Sequence, residues 1–73
     1  MRNIIPEFTK IELDYIIANA NFTERELQLF ELRNKEYSYE ICAAKMNLGR
    51  TTIKKTAKKT MAKIMKVIEN MEI

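Results

Sequence analysis

The chain of 73 residues has no histidine and no tryptophan, and one each of cysteine, glycine, proline and serine. Without an imidazole it lacks the side chain that most readily shuttles protons near neutrality and most often binds metals. A lone thiol, Cys42, closes no internal disulfide and builds no cysteine metal cluster. One glycine cannot make a glycine-rich phosphate loop. Carboxylates remain as acids or bases, but no pair of them sits in an apolar setting. No catalytic residue, metal site or cofactor is therefore expected, and the chain does not read as an enzyme. Long apolar runs are also missing: the longest, Tyr15–Ala18 and Ile41–Ala44, have four residues each, against about 20 for a membrane span. The opening Met1-Arg2-Asn3-Ile4-Ile5-Pro6-Glu7 has no stretch of signal-peptide length. No membrane partner and a cytoplasmic location are the resulting expectations.

What is present is ordinary for a folded chain, with 47% apolar and 32% charged residues. At this length a domain buries only ~60% of the surface its unfolded chain exposes, so the core is thin. The net charge of +3 hides a sharp division. Met1 to Ala44 holds five basic and eight acidic residues, Lys45 to Lys66 holds eight basic and no acidic ones, and Glu69 and Glu72 follow. A cationic block after an acidic half is the electrostatic footprint of a polyanion binder, although a lysine-rich solvated helix face gives the same count.

Every strong local signal is helical, with no sustained alternation and no Asn-Gly or Asp-Gly turn. A first helix is expected from about Glu7 or Lys10 to Asn19, with Pro6 suited to a first turn and Thr9–Glu12 a capping box. Phe8, Ile11, Tyr15 and Ala18 share one face, widened by Leu13, Ile16, Ile17 and Ala20, a stripe broad enough to be sandwiched or to cover a partner. Thr23–Glu26 is a second capping box, flanked by Phe22 and Leu27 as a staple, and opens a helix that carries Leu29, Phe30 and Leu32 to about Asn34 or Lys35. Ser38 caps a short helix bearing Ile41, Cys42, Ala43 and Met46, and Asn47 suits a left-handed turn. The last helix starts at Gly49 or Arg50 and reaches toward Met71, with Ile53, Ala57, Met61, Ile64, Ile68 and Met71 close to a heptad seam. The fold class is thus a small all-α domain of four or five helices. One domain covers 1–73: an N-terminal helix (1–21), a scaffold helix (22–36), a helix-turn-helix (38–58) and an extension of the last helix (59–73).

Within Tyr37–Lys54 a short helix, a tight turn and a basic helix follow one another. A helix-turn-helix needs a small residue at the crossing, which Ala43 provides, and apolar side chains to lock the angle, which Cys42, Met46, Leu48 and Ile53 provide. It then needs polar donors on the first turns of the second helix. Periodicity alone gives a helical hairpin; the basic run and turn chemistry make it a DNA reader. Phe22-Thr23-Glu24-Arg25-Glu26-Leu27, Tyr37-Ser38-Tyr39-Glu40, Ala43, Lys45–Leu48 and Arg50–Lys54 resemble the LuxR/GerE-type and sigma-factor region-four domains. The resemblance covers about Phe22 to Ile64. It implies a bacterial or phage transcription regulator in which Arg50, Thr51, Thr52, Lys54, Lys55 and Lys58 face the major groove or its phosphates. The chain departs from those families where Asn47 replaces the usual Gly, Gly49 the usual Ser cap, and Ile41 a common Glu.

The expected partner is double-stranded DNA. Arg50, Thr51, Lys54, Lys55 and Lys58 are the candidates for base readout, Arg50 foremost because it can grip guanine O6 and N7 together. Ser38, Tyr39, Lys45, Thr52, Lys59 and Lys63 are the candidates for phosphate contact. Met61, Ile64, Met65, Ile68 and Met71 are the candidates for a homodimer seam, since so small a core gains from association; the same stripe could instead fold back on the first helix. Cys42 reads as a small core residue rather than a redox sensor. Two rival readings stand beside this one. One is a helix-turn-helix that docks RNA polymerase or another regulator. The other is a basic amphipathic helix on a membrane surface, weakened by the absence of Trp or Phe from its apolar face.

Overall fold

Three of the four α-helices begin at a residue whose side-chain oxygen catches a backbone N–H of the first turn. The computed structural model describes residues 3–71, and in them a 3-10 turn (Ile5–Glu7) precedes α1 (Lys10–Asn19), α2 (Glu24–Asn34), α3 (Tyr39–Met46) and α4 (Arg50–Asn70). Thr9 and Thr23 each form a full capping box, with Glu12 and Glu26 returning the bond to the cap's own N–H. Ser38 caps α3 through the Ile41 N–H at 3.3 Å, with no return bond because position 41 has no carboxylate. Such caps satisfy amides that no helical carbonyl can reach. The architecture is all-α, as expected.

The chain reverses at Asn21, Glu36 and Asn47, all with positive φ. At the end of α3, Leu48 N–H bonds Ala43 O (2.9 Å) and Asn47 N–H bonds Ala44 O (3.3 Å), with Asn47 left-handed at φ 55°. The same paired closure ends α2, where Tyr37 N–H reaches Leu32 O and Glu36 N–H reaches Arg33 O. Paired bonds of this kind satisfy the last carbonyls of a helix and turn the chain sharply.

Two apolar clusters lie along α4. Ile53 and Ala57 join Leu29 and Cys42, with Leu32, Tyr37, Ala43, Met46 and Leu48 packed around them. Farther along, Ile64 and Val67 join Ile5, Ile16, Ala20 and Phe30, with Phe8, Leu13, Phe22, Met61 and Ile68 around them. α2 serves both through adjacent residues, Leu29 to the first and Phe30 to the second. Beside and beyond the first cluster α4 also buries Thr56 and Thr60, whose hydroxyls donate to the carbonyls of Thr52 (2.8 Å) and Thr56 (2.7 Å). Closing those hydroxyls on their own helix lets a polar face pack without stranded donors. The first cluster is the brace of the helix-turn-helix, and the second anchors α1 and the N-terminal turn to the far half of α4.

Two expectations that left alternatives open are narrowed here. The broad stripe of α1 does not pack as one face: Ile16, Ala20 and Leu13 meet the core, whereas Ile11 is 83% exposed and Tyr15, Ile17 and Ala18 also face solvent. A ten-residue helix lying on one side of α4 can bury only the side it rests on. The heptad seam of α4 is likewise drawn inward. Ile64 is 0% exposed in the chain's own core, Met61 and Ile68 pack against that core, and Met71 is half-buried, so of the five expected dimer residues only Met65 lies open. Within the single chain the stripe folds back on α1 and the N-terminal turn, which use the same apolar face.

Candidate nucleic-acid interface

The first half of α4 buries Ile53, Thr56, Ala57 and Thr60, which leaves Arg50, Thr51, Lys54, Lys55, Lys58 and Lys59 turned to solvent. At 100° per residue these side chains spread across a broad outer face. α4 has no acidic residue in its first turn, and its cap, Gly49, supplies no side-chain bond to the leading amides. The positive end of the helix dipole thus adds to the side-chain charge at the end where α4 leaves the turn. All five residues expected to read bases lie on this exposed surface.

The residues expected to hold phosphates are more divided. Lys59 is exposed on the same helix, and Lys45 projects near the end of α3 with its ammonium 5.1 Å from the Tyr37 ring centre. Thr52 is half-buried, its carbonyl engaged by Thr56. Ser38 is exposed while its oxygen caps α3. Tyr39 lies beneath the Arg33 guanidinium, 4.1 Å from ring centre to Cζ.

Lys63 takes a different position. Its ammonium pairs with the buried Glu26 carboxylate and donates to Asn21 O at 3.0 Å. Glu26 is 4% exposed, and the same oxygen accepts the Thr23 N–H at 2.9 Å. Burial alone would raise the Glu26 pKa, but the Lys63 ammonium and the Thr23 bonds together hold it below its ordinary value. A carboxylate that cannot be hydrated keeps its counterion, so Lys63 is tied to α2 rather than held out for a phosphate. The expected phosphate-contact residue is thus engaged within the fold.

Three residues outside the expected set shape the surface. Arg33 donates from Nη1 to Tyr37 O at 2.8 Å while covering Tyr39, and so fixes the entry of α3. Asn3 donates from Nδ2 to Arg33 O at 2.8 Å, tying the N-terminal turn to the same corner. Glu40, on the first turn of α3, stands 3.7 Å from the Arg50 guanidinium, with both side chains largely exposed. Arg33 reaches Tyr37 only four residues on, whereas the Asn3–Arg33 and Glu40–Arg50 pairings join residues that the fold brings together. Cys42 lies in the brace with its thiol directed at Tyr37 O (3.8 Å), and burial raises its pKa despite the nearby Arg33 charge. A buried thiol of raised pKa is a poor nucleophile.

Among the described residues, no group of three or more His, Cys, Asp or Glu is placed to hold a metal ion, and no helix is long and apolar enough to cross a membrane. The chain matches no family model, no curated protein and no solved structure.

Proposed function

We propose that this chain is a sequence-specific DNA-binding transcriptional regulator that places the first turns of α4 in the major groove. The observation that carries the reading is the brace itself. α2 and α3 hold, through one buried cluster, a helix whose leading face is cationic and free of acidic residues. A major groove about 12 Å wide accepts one helix, and the edges of guanine and adenine present acceptors to the kinds of donor found here. Arg50 reads bases, with Thr51, Lys54, Lys55 and Lys58 sharing readout and adjacent phosphates. Lys45 and Lys59 contact the backbone on either side. Each copy of the chain reads one half-site, and the spacing of half-sites in bound duplexes reports how many copies assemble.

Selection of bound duplexes from a random pool tests the reading, and a shared short motif is the expected result. Arg50→Ala should cost ~1–3 kcal/mol in binding and relax preference at one position. Equal retention of all duplexes, or none at low ionic strength, would sink the assignment.

A further inference from the structure

An open groove of about 730 Å³ runs beside the cationic face, lined by Ile4, Tyr39, Ala57, Met61, Ala62 and Met65 with Lys54 and Lys58 on its border. Its wall is overwhelmingly apolar, and no acidic residue lines it. Met65 is 47% exposed, and Tyr39 and Ala62 are also open to solvent. Neither Lys54 nor Lys58 has an ion-pair partner among the described residues.

The α4 residues on this groove fall at 54, 57–58, 61–62 and 65, three turns of one helix. That is ~16 Å of length at 1.5 Å per residue, the span over which a second helix sets anchors at i, i+4, i+7 and i+11. Two methionines form part of the wall, and thioether side chains reshape readily around an incoming apolar surface. An apolar trough with an uncompensated cationic border suits a ligand apolar on one side and negatively charged beside it. Free duplex DNA satisfies the border but leaves the trough empty.

We propose that this groove docks an acidic amphipathic helix of a partner protein, whose apolar anchors enter the trough and whose carboxylates cover Lys54 and Lys58. Because those two lysines belong to the DNA-reading face, docking and DNA binding exclude one another. The partner is thereby a regulator of the chain by occlusion. The exclusion rests on the DNA-binding reading; the docking does not.

The test uses the full chain and two synthetic amphipathic peptides with the same apolar anchors, one with glutamates and one with lysines on the flanks, monitored by NMR without DNA. The expected result is saturable shifts at Ala62, Met61 and Met65 with the acidic peptide and none with the basic one. Met65→Gln should weaken the acidic peptide about tenfold while DNA binding holds. Lys58→Glu should weaken both ligands. A labelled duplex should then be displaced by the acidic peptide from the wild type, and much less readily from Met65→Gln. Equal binding of both peptides, or none, overturns the docking site. Association of the chain with itself that Met65→Gln abolishes, seen by sedimentation, assigns the groove to a second copy and overturns the partner. Shifts at these residues with anionic lipid vesicles but not with the acidic peptide assign it to a membrane surface, with the same consequence. Peptide binding in a chain that ignores DNA leaves the groove standing and removes the regulator reading alone.

Discussion

Lys63 belongs by charge to the basic run of α4 and by contact to α2, where it neutralises Glu26. Removing the ammonium leaves a buried carboxylate with an unanswered charge, so Lys63→Met should destabilise the fold by roughly 1–3 kcal/mol. The same substitution should leave the affinity of the folded protein for DNA unchanged, whereas loss of a phosphate contact weakens binding to every sequence alike. Glu26 gives the pair a pH signature. Its folded-state pKa lies below the ordinary 4.5, so its stabilisation is complete above that value and is lost as pH falls through the folded pKa. Denaturant titrations of wild type and Glu26→Gln should therefore differ most at neutral pH and converge in acid. A gap that stays constant down to pH 3, about 1.5 units below the ordinary value of 4.5, contradicts the pairing. Glu40 stands on the other side of the ledger. It draws on Arg50 from 3.7 Å and places a negative charge beside the proposed base-reading residue. The exposed pair itself contributes little to folding. Glu40→Gln should leave the melting temperature nearly unchanged and tighten duplex binding severalfold at low salt, as measured by fluorescence anisotropy.

At the level of the element, helix ends were the most legible part of the sequence, because a cap is a local contract between residues three apart. Thr9, Thr23, Ser38 and Asn47 all act where their chemistry places them. The two elements whose faces were read less well, α1 and the far half of α4, are those whose apolar stripes exceed what one neighbour can cover. Periodicity finds a stripe but not its occupant: Ile11 and Ile16 look alike in sequence, and only the position of α4 separates them. Thr56 and Thr60 escape an apolar pattern for the opposite reason, since a hydroxyl closed on its own helix behaves as core without looking apolar. Two turn positions also run against local preference. Glu36 occupies left-handed backbone at φ 66°, where glycine carries no Cβ penalty. Gly49 has φ −73° and ψ 164°, ordinary extended backbone, and a Cβ built there meets nothing within 4 Å. Glu36→Gly should stabilise the fold by about 0.5–1 kcal/mol, and Gly49→Ser by a few tenths through a new cap on α4. Thermal melts of the single and double variants should give nearly additive gains, because the turns at 36 and 49 belong to opposite ends of α3.

Across the whole molecule, α4 sets the form. Twenty-one residues make a rod of ~31 Å, close to the 36 Å long dimension of the described chain. Its two ends do different work, the first carrying the exposed cations and the second gathering α1 and the N-terminal turn into a core. The acidic residues of the first half of the sequence are mostly distributed over α1 and α2, which leaves the leading face of α4 as the concentrated positive surface. Binding driven by such a face releases counterions from the duplex, and log affinity falls against log salt by about 0.9 per phosphate neutralised. If Arg50, Lys45, Lys54, Lys55, Lys58 and Lys59 share base and backbone contacts as proposed, about five phosphates and a slope of about −4 to −5 are expected. Lys59→Ala should make that slope shallower by about one, whereas Lys63→Met, whose charge answers Glu26, should leave it unchanged. Equal slope losses from the two substitutions would mean that Lys63 leaves Glu26 to meet the duplex, and that the inner face of α4 opens when DNA binds.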